Sequence, residues 1–504
     1  MVENVIHTHL THYTKLKINK HILLCCAICF SINSYAWDWW PIAVEQTYHG
    51  VDTLQYGVSM LGVASYGKTA PFWLQTNRNG DIASSAYSGN LAIELIKPAS
   101  HPHRWFDYDF ALSLTGRIQN RTDNINPAVN HMGTIYSNLA YAHARLYVID
   151  ITAGILPKQF GSADPTLSSG GLLFSNNAHP LPGIYLGIDD WTAFPGLYGY
   201  FEIRGGISNM WMIDNVYVQK AMIHHKWIGG KIGGKLPVNL SYEFHHASQW
   251  GGISPVYGDL GNDWHAFVNT LLVRSGGKMA NDLINAQGNH LGSQILTLDI
   301  KGNKWKISAY WQNISEDGPI DFIGWSMNNS DGVWGININQ QHWPFISGLT
   351  YEFIQTTDQS GPFHDKDGFI FGGNDNYYTN IVYQNGWNYW YRTIGNPFIT
   401  SPIYNTDGTI YTKNNRIKAH YIGFKGDIYG YKYRVICSHA QNYGRYNQPS
   451  YSNNTALLVE CTKHLDKAWG LDLSLSLAAD IGNQFGNQFG ALLTISKKGI
   501  ITQW

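Results

Sequence analysis

Trp469-Gly470-Leu471-Asp472-Leu473-Ser474-Leu475-Ser476-Leu477-Ala478-Ala479-Asp480-Ile481 says more about the architecture of this chain than any other run in it. From Trp469 to Ile481 an apolar side chain stands at every second position, and Asp472, Ser474, Ser476 and Asp480 lie between them. An extended chain with that pattern has one apolar face and one polar face. The run is about thirteen residues long, where a soluble strand averages about five or six, and it suits a tilted strand that crosses a bilayer.

The pattern recurs. Phe106, Tyr108, Phe110, Leu112 and Leu114 alternate with Asp107, Asp109, Ser113 and Thr115. Val238, Leu240, Tyr242 and Phe244 alternate with Asn239, Ser241, Glu243 and His245, and Trp305, Ile307, Ala309 and Trp311 with Lys306, Ser308 and Tyr310. Charged residues make up only 14% of the chain, aromatics also 14%, and there are 52 glycines. A transmembrane barrel has this profile because lipid rejects charge, the interfaces collect Trp and Tyr, and turns consume glycine. The fold class expected is all-β: a transmembrane antiparallel barrel with short periplasmic turns and long extracellular loops.

At the N-terminus, Lys15, Lys17 and Lys20 precede an apolar run from Ile22 to Ile32, and Ser34-Tyr35-Ala36 offers small residues where a signal peptidase reads. Residues 1–36 are therefore expected to be a signal peptide, 37–52 a short periplasmic segment and 53–504 the barrel. Losing three lysines and one glutamate with the signal moves the formal charge from −1 to −3, which, with no Lys/Arg run, excludes a nucleic-acid partner. Cys25, Cys26 and Cys29 fall in the signal. Cys437 and Cys461 alternate with apolar neighbours, so they are expected on the lipid face and out of register for a disulfide.

Short connections near Asp150, Gly233-Gly234-Lys235, Lys301-Gly302-Asn303, Trp343-Pro344, Tyr429-Gly430 and Leu465-Asp466-Lys467 alternate with long polar stretches at 67–90, 157–183, 247–290, 313–332 and 357–416. Outgoing strands begin near 53, 105, 151, 197, 238, 304, 348, 431 and 468, which predicts nine hairpins and about eighteen strands. Phe489, Ala491, Leu493 and Ile495 form the apolar face of the last strand, and Trp504 resembles the terminal aromatic read by barrel-insertion machinery, although its spacing from Ile495 breaks the alternation.

The loops carry runs that resemble one family. They include Pro71-Phe72-Trp73-Leu74-Gln75-Thr76-Asn77-Arg78-Asn79-Gly80, Leu167-Ser168-Ser169-Gly170-Gly171 and Ser175-Asn176-Asn177-Ala178-His179-Pro180-Leu181-Pro182. They continue with His245-His246-Ala247-Ser248-Gln249-Trp250-Gly251-Gly252, Gly288-Asn289-His290-Leu291-Gly292 and Asp331-Gly332-Val333-Trp334-Gly335. The last are Gly373-Asn374-Asp375-Asn376-Tyr377-Tyr378, Gly386-Trp387 and Arg392-Thr393-Ile394-Gly395-Asn396-Pro397. In order, these runs resemble the capsule-assembly Wzi family of Gram-negative outer membranes. The resemblance implies an eighteen-stranded surface lectin, without a catalytic step or a cofactor, that holds capsular polysaccharide. Outer-membrane lipid, lipopolysaccharide, insertion machinery and capsule-export machinery are the other partners it implies. His179 stands where the resemblance expects Arg.

A sugar site needs aromatic faces beside amides, carboxylates and guanidinium groups. Asn374, Asp375, Asn376, Tyr377, Trp387, Tyr391 and Arg392 are the densest such set, followed by Trp73, Asn77 and Arg78, with Asn176, Asn177, His179 and Trp250 in the matching runs. The same residues can instead serve the interface girdle and turns. His245 and His246 cannot chelate one ion, since neighbouring strand residues face opposite ways; a lumen-facing His245 bonded to Glu243 is expected. Gly229-x4-Gly234-Lys235 lacks the Ser/Thr of a phosphate loop. The alternatives are a diffusion porin, with Lys306, Arg434, Glu243 and Asp472 on lumen faces, and a hydrolase using Asp317, Asp321 and Asp331. Loops that fold inward would separate the lectin from the porin.

Overall fold

The structure is a computed structural model that describes residues 51–101, 105–161, 163–275, 287–316, 330–361 and 374–504. The signal sequence, Asp317 and Asp321 lie outside the described residues. Eighteen antiparallel strands among them close into one barrel. In chain order they are β1 (Thr53–Tyr66), β2 (Tyr87–Lys97), β3 (Phe106–Gln119), β4 (Ala140–Leu146), β5 (Ile149–Ile155) and β6 (Pro182–Ala193). Then come β7 (Phe201–Trp211), β8 (Met222–Ile232), β9 (Val238–Trp250), β10 (Asn289–Gly302), β11 (Trp305–Gln312) and β12 (Gly332–Gln340). The last six are β13 (Gly348–Gln355), β14 (Ile417–Ile428), β15 (Tyr431–Arg445), β16 (Gln448–Leu465), β17 (Leu471–Gly482) and β18 (Gln488–Gln503). Each pairs with its neighbour in sequence, and β18 pairs with β1 to close the seam. No edge strand is left, so every ladder group finds a partner without water.

The alternation read from sequence is the alternation observed. In β17, Ser474, Ser476, Ala478 and Asp480 are buried toward the lumen, while Leu473 and Ile481 are exposed on the outside. Trp469 departs from the reading: it lies in the 466–470 turn at φ 58°, so the strand starts at Leu471. Lys306, Arg434, Glu243 and Asp472 share the lumen side with their ion-pair partners, including Arg204–Glu243 at 2.6 Å and Lys306–Asp299 at 3.1 Å. His245 faces the lumen too, but its Nε2 is 3.6 Å from Glu243, too long for a hydrogen bond. Arg204 takes that carboxylate with two nitrogens, and His225 Nε2 is the neighbour of His245 Nδ1 at 3.2 Å.

Cys437 and Cys461 are free, and register explains it: Cys437 stands opposite Leu457, and Cys461 opposite Tyr433. The terminal Trp504 obeys a rule that the sequence hid. A bulge skips Ile501, so Gln55 pairs with Ile500 and Leu54 with Thr502. One extra residue flips the parity of every residue beyond it. Trp504, which exchanges backbone hydrogen bonds with Asp52, thus falls on the outer face with Phe489 and Leu493.

Strands connect at one end by short turns, of which 147–148, 303–304 and 429–430 have two residues each. The opposite end carries the connections 67–86, 120–139, 156–181, 212–221, 251–288, 313–331 and 356–416. Two connections there are short, 446–447 and 483–487, and the β15–β16 hairpin runs out beyond its neighbours with strands of 15 and 18 residues. Among the described residues no helix is long and apolar enough to cross a membrane.

Candidate functional site

The long connections 67–86, 156–181 and 374–416 turn inward and fill the loop end of the barrel. In the first, the short helix α1 (Phe72–Gln75) follows Pro71, and the Phe72 amide donates to Asp480 of β17 at 2.9 Å. Trp73 Nε1 donates to Ser438 of β15 at 2.9 Å, and Arg78 meets Glu460 of β16 at 2.7 Å. Glu460 also holds Arg434 at 2.9 Å, so one buried carboxylate serves two guanidinium groups from wall and loop. In the second connection, Ser168 Oγ and the Ser169 amide both donate to Glu352 of β13 at 2.8 Å, and Asp164 accepts from Lys425 of β14. In the third, the Gly386 carbonyl accepts from Gln249 of β9 at 3.0 Å. The connections therefore touch the wall around its circumference.

They also lock to one another. Trp387 Nε1 donates to the Leu173 carbonyl at 2.8 Å, and Tyr378 OH donates to that of Leu172. Asn177 Nδ2 donates to the Thr393 carbonyl at 3.0 Å and Asn396 Nδ2 to the Gly170 carbonyl at 2.5 Å. Gly395 permits the crossing, because a Cβ there would lie 2.1 Å from the Leu172 carbonyl oxygen. Phe72, Trp73, Leu172, Tyr377, Tyr378, Trp387, Ile394 and Phe398 share one apolar core with wall residues such as Leu458 and Leu492. Burying that much aromatic surface gives the plug its cohesion.

This architecture sorts the residues expected at a sugar site. Trp387 and Tyr377 are 0% exposed, so no ring face is open for stacking. Tyr377 OH instead donates to Asp331 at 3.0 Å, and Asp331 also accepts the Asp358 and Gln359 amides, which commits that carboxylate to holding the plug. Arg392, 2% exposed, donates to the Ile82 carbonyl at 2.8 Å and to Ser84 Oγ at 3.2 Å. Burial lowers its pKa to about 10, which still leaves it charged at neutral pH. Trp73, Arg78, Asn176 and Asn177 are buried in the same body, and Asn77 Nδ2 donates to the Ser169 carbonyl at 2.6 Å. His179 Nδ1 lies 2.7 Å from Asn138 Oδ1, and burial holds the ring well below its usual pKa, so it is neutral. Trp250 is elsewhere: it points out of β9 and donates to Asn209 at 3.0 Å.

Two groups retain exposed surface. Asp375 and Asn376 sit where the third connection meets the β15–β16 hairpin, next to the buried Asn374, whose Nδ2 donates to Asn447 at 3.1 Å, and Asp375 accepts from Ser360 at 2.6 Å. The other is a small hairpin, Asn388–Tyr389 paired with Arg392–Thr393, whose two-residue tip is Trp390-Tyr391. Both tip residues have positive φ, 50° and 62°. A turn of that shape normally takes Asn-Gly, because a side chain there is strained. Here two aromatic rings occupy it, and Trp390 is 42% exposed. Strain of this kind persists where the surroundings impose it and clusters at binding sites.

The surroundings are specific. The Trp390 amide donates to Asp214 Oδ2 at 2.8 Å, the Tyr391 carbonyl accepts the Ile403 amide at 2.8 Å, and Arg392 clamps the base of the hairpin. The Tyr389 and His179 rings both lie 6.2 Å from the Trp390 ring, centroid to centroid. Burial raises the Asp214 carboxyl to about 6, so it changes charge just below neutrality. The sequence pointed to Tyr391 and missed Trp390, Tyr389 and Asp214. Gly386-Trp387-Asn388-Tyr389-Trp390-Tyr391-Arg392 reads as one aromatic run, with no glycine at the tip to mark the turn.

No family model matches the chain, and no curated protein matches it in sequence. Among solved structures the barrel is similar to Wzi of Escherichia coli, an outer-membrane protein involved in group 1 capsule assembly and described as a carbohydrate-binding β-barrel. The identity is 14%, 87% of this chain and 84% of that chain are covered, and the TM-score is 0.55. OccK7 (OpdD) of Pseudomonas aeruginosa matches at 9% identity over 90% of this chain and 100% of that one, TM-score 0.45. OccAB2 of Acinetobacter baumannii matches at 9% over 91% and 100%, also with TM-score 0.45. The likeness to Wzi is one of fold: a closed outer-membrane β-barrel.

Proposed function

We propose that this protein is a surface lectin of a Gram-negative outer membrane, which holds a capsular or exopolysaccharide at the loop end of its barrel without a catalytic step. The observation that carries the reading is the strained, part-exposed Trp390-Tyr391 tip, set on a plug that occupies the loop end of the lumen. A plug suits a protein that holds its ligand outside better than one that passes it through. The carbohydrate binding described for Escherichia coli Wzi supports the same reading. Aromatic faces beside a carboxylate and amides are the groups that stack on sugar C–H surfaces and share hydroxyl hydrogen bonds. Each neutral hydrogen bond contributes only about 0.5–1.5 kcal/mol net, so retention would rest on a polymer engaging many copies.

The test is polysaccharide binding by the detergent-solubilised protein and by its Trp390→Ala and Tyr391→Ala variants. Each variant should lose roughly tenfold in affinity, the equivalent of about 1.4 kcal/mol, while keeping its heat-modifiable gel migration. Equal binding by both variants and the parent, at matched protein levels, would remove the tip from the site.

A further inference from the structure

The 251–288 connection behaves unlike the three that form the plug: its described part folds over the outside of the barrel. It carries helix α2 (Trp264–Leu272), started by Asp263, whose side chain accepts the Ala266 amide at 2.8 Å. Lys226 Nζ donates to the Leu271 carbonyl, and the Phe267 ring meets His224 and Trp250 at 5.5 and 5.6 Å. His224, Lys226 and Trp250 all point outward, in phase with the exposed Ile228 of β8 and Leu240 of β9.

The wall under the helix is polar where the rest of the belt is aliphatic. His224 and Lys226 of β8, His246 and Ser248 of β9, and His290 of β10 hold outward positions on three adjacent strands. His290 Nε2 lies 3.0 Å from the Gln287 carbonyl, so it carries the proton, and Nδ1 is left to accept from His246 Nε2 at 3.0 Å. Facing lipid, a lysine costs about 2–4 kcal/mol at the bilayer midplane. Here the connection covers it.

The helix is inside out by the standards of a water-soluble protein. Its buried positions are Ala266, Asn269 and Thr270, two of them polar: Asn269 donates to Gln287 at 3.5 Å and Thr270 Oγ1 to the Ala266 carbonyl at 2.9 Å, while Phe267 is the ring that packs on His224 and Trp250. Its outer stripe is Trp264, Val268, Leu271 and Leu272, at helical spacing, with Trp264 75% and Leu272 48% exposed. Ile253, Val256, Tyr257 and Val273 of the same connection are exposed too, and the rim carries both signs, with Asp259 and Asp263 before the helix and Arg274 after it. An apolar patch of this kind needs a cover. Because Lys226 fixes the helix end two residues from the lipid-facing Ile228 on the same strand face, the patch continues the membrane belt.

We infer that α2 is a lipid-contacting element that lies against the outer leaflet, replacing a polar stretch of barrel wall with an apolar surface. Lipid is the occupant that matches, because the outer stripe continues the belt of lipid-facing side chains that Ile228 and Leu240 belong to.

The test uses the protein without residues 1–36, and so without Cys25, Cys26 and Cys29, carrying Cys437→Ser and Cys461→Ser and labelled with an environment-sensitive fluorophore at Trp264→Cys or Leu272→Cys. The labelled protein is reconstituted in phosphatidylcholine–phosphatidylglycerol vesicles. Ile228→Cys serves as the lipid-facing reference and Tyr451→Cys, exposed on the β15–β16 hairpin, as the aqueous one. Labels at 264 and 272 should be quenched by spin-labelled lipid chains several-fold more than the label at 451, and shielded from aqueous iodide. Iodide access without lipid quenching would overturn the inference. So would shielding from both quenchers, which would mean that another protein surface covers the patch. Tyr257→Cys, on the same patch outside the helix, repeats the reading if a helix variant fails to show heat-modifiable migration.

Discussion

Trp390 and Tyr391 hold a backbone conformation that costs an L-residue roughly 1–2 kcal/mol each. That strain predicts a trade. Replacing the pair with Trp390→Asn and Tyr391→Gly should stabilise the hairpin by about 1–2 kcal/mol and at the same time abolish the tip's contribution to polysaccharide binding. Hydrogen exchange of the 388–393 amides, measured beside a binding assay, reads both effects; loss of protection with binding retained would contradict the trade. A second consequence at single residues concerns charge. Burial raises Asp81 to about 7, against an ordinary value of 3.8, even though Asn138 donates to it at 2.8 Å. Above pH 6.5 an unfolded Asp81 is already ionised, whereas the folded one still releases a proton. Stability conferred by the protonated form is therefore lost as pH rises through about 7. His179, held neutral by burial, works the opposite way: its unfolded form is half protonated at its ordinary pKa of 6.5, which offsets about 0.4 kcal/mol of the change as pH rises from there. Amide protection in the 67–86 connection, corrected for intrinsic rates, should thus fall by about 0.4 kcal/mol between pH 6.5 and 8.5. Asp81→Asn should remove the fall and leave the small opposite slope of His179.

Among the elements, period-2 patterning survives in the sequence because every strand has one face to lipid and one to the lumen. The predicted strand starts near 53, 238, 348 and 431 coincide with those observed, and those near 105, 151, 197, 304 and 468 lie a few residues from Phe106, Ile149, Phe201, Trp305 and Leu471. Connections carry no such period. Trp387 and Trp390 are three residues apart and look alike in the sequence, yet one is a plug core residue and the other a part-exposed tip, a difference set by contacts with Leu173 and Asp214 in distant connections. Helix α2 escapes a sequence reading for a related reason. Trp264-His265-Ala266-Phe267-Val268-Asn269-Thr270-Leu271-Leu272 buries Asn269 and Thr270 and leaves Trp264 and Leu272 exposed, against the pattern that marks a surface helix. The bulge at Ile501 hid Trp504 in the same way, by shifting a period that was otherwise intact.

Across the molecule as a unit, barrel and plug carry separate energetics. The β ladder closes on itself through β1 and β18, and of the third connection only Asn415 and Arg416 make backbone-to-backbone bonds with a strand, at Tyr443 and Gly444 of β15, outside residues 376–411. The wall nearer the turns is lined by pairs of opposite charge, Arg204–Glu243, Lys231–Glu202 and Lys306–Asp299 among them. An eighteen-stranded barrel is wide enough to hold a water-filled channel. The intact protein in a planar bilayer should then show little steady conductance. Replacing 376–411 by a short Gly-Ser linker should leave the ladder and heat-modifiable migration in place and produce large, stable steps. Because the lining charges are paired, those steps should discriminate only weakly between cations and anions, with selectivity growing as salt is lowered. Large steps from the unaltered protein would instead make the loops a constriction of a porin, and the lectin reading would lose the plug as its support.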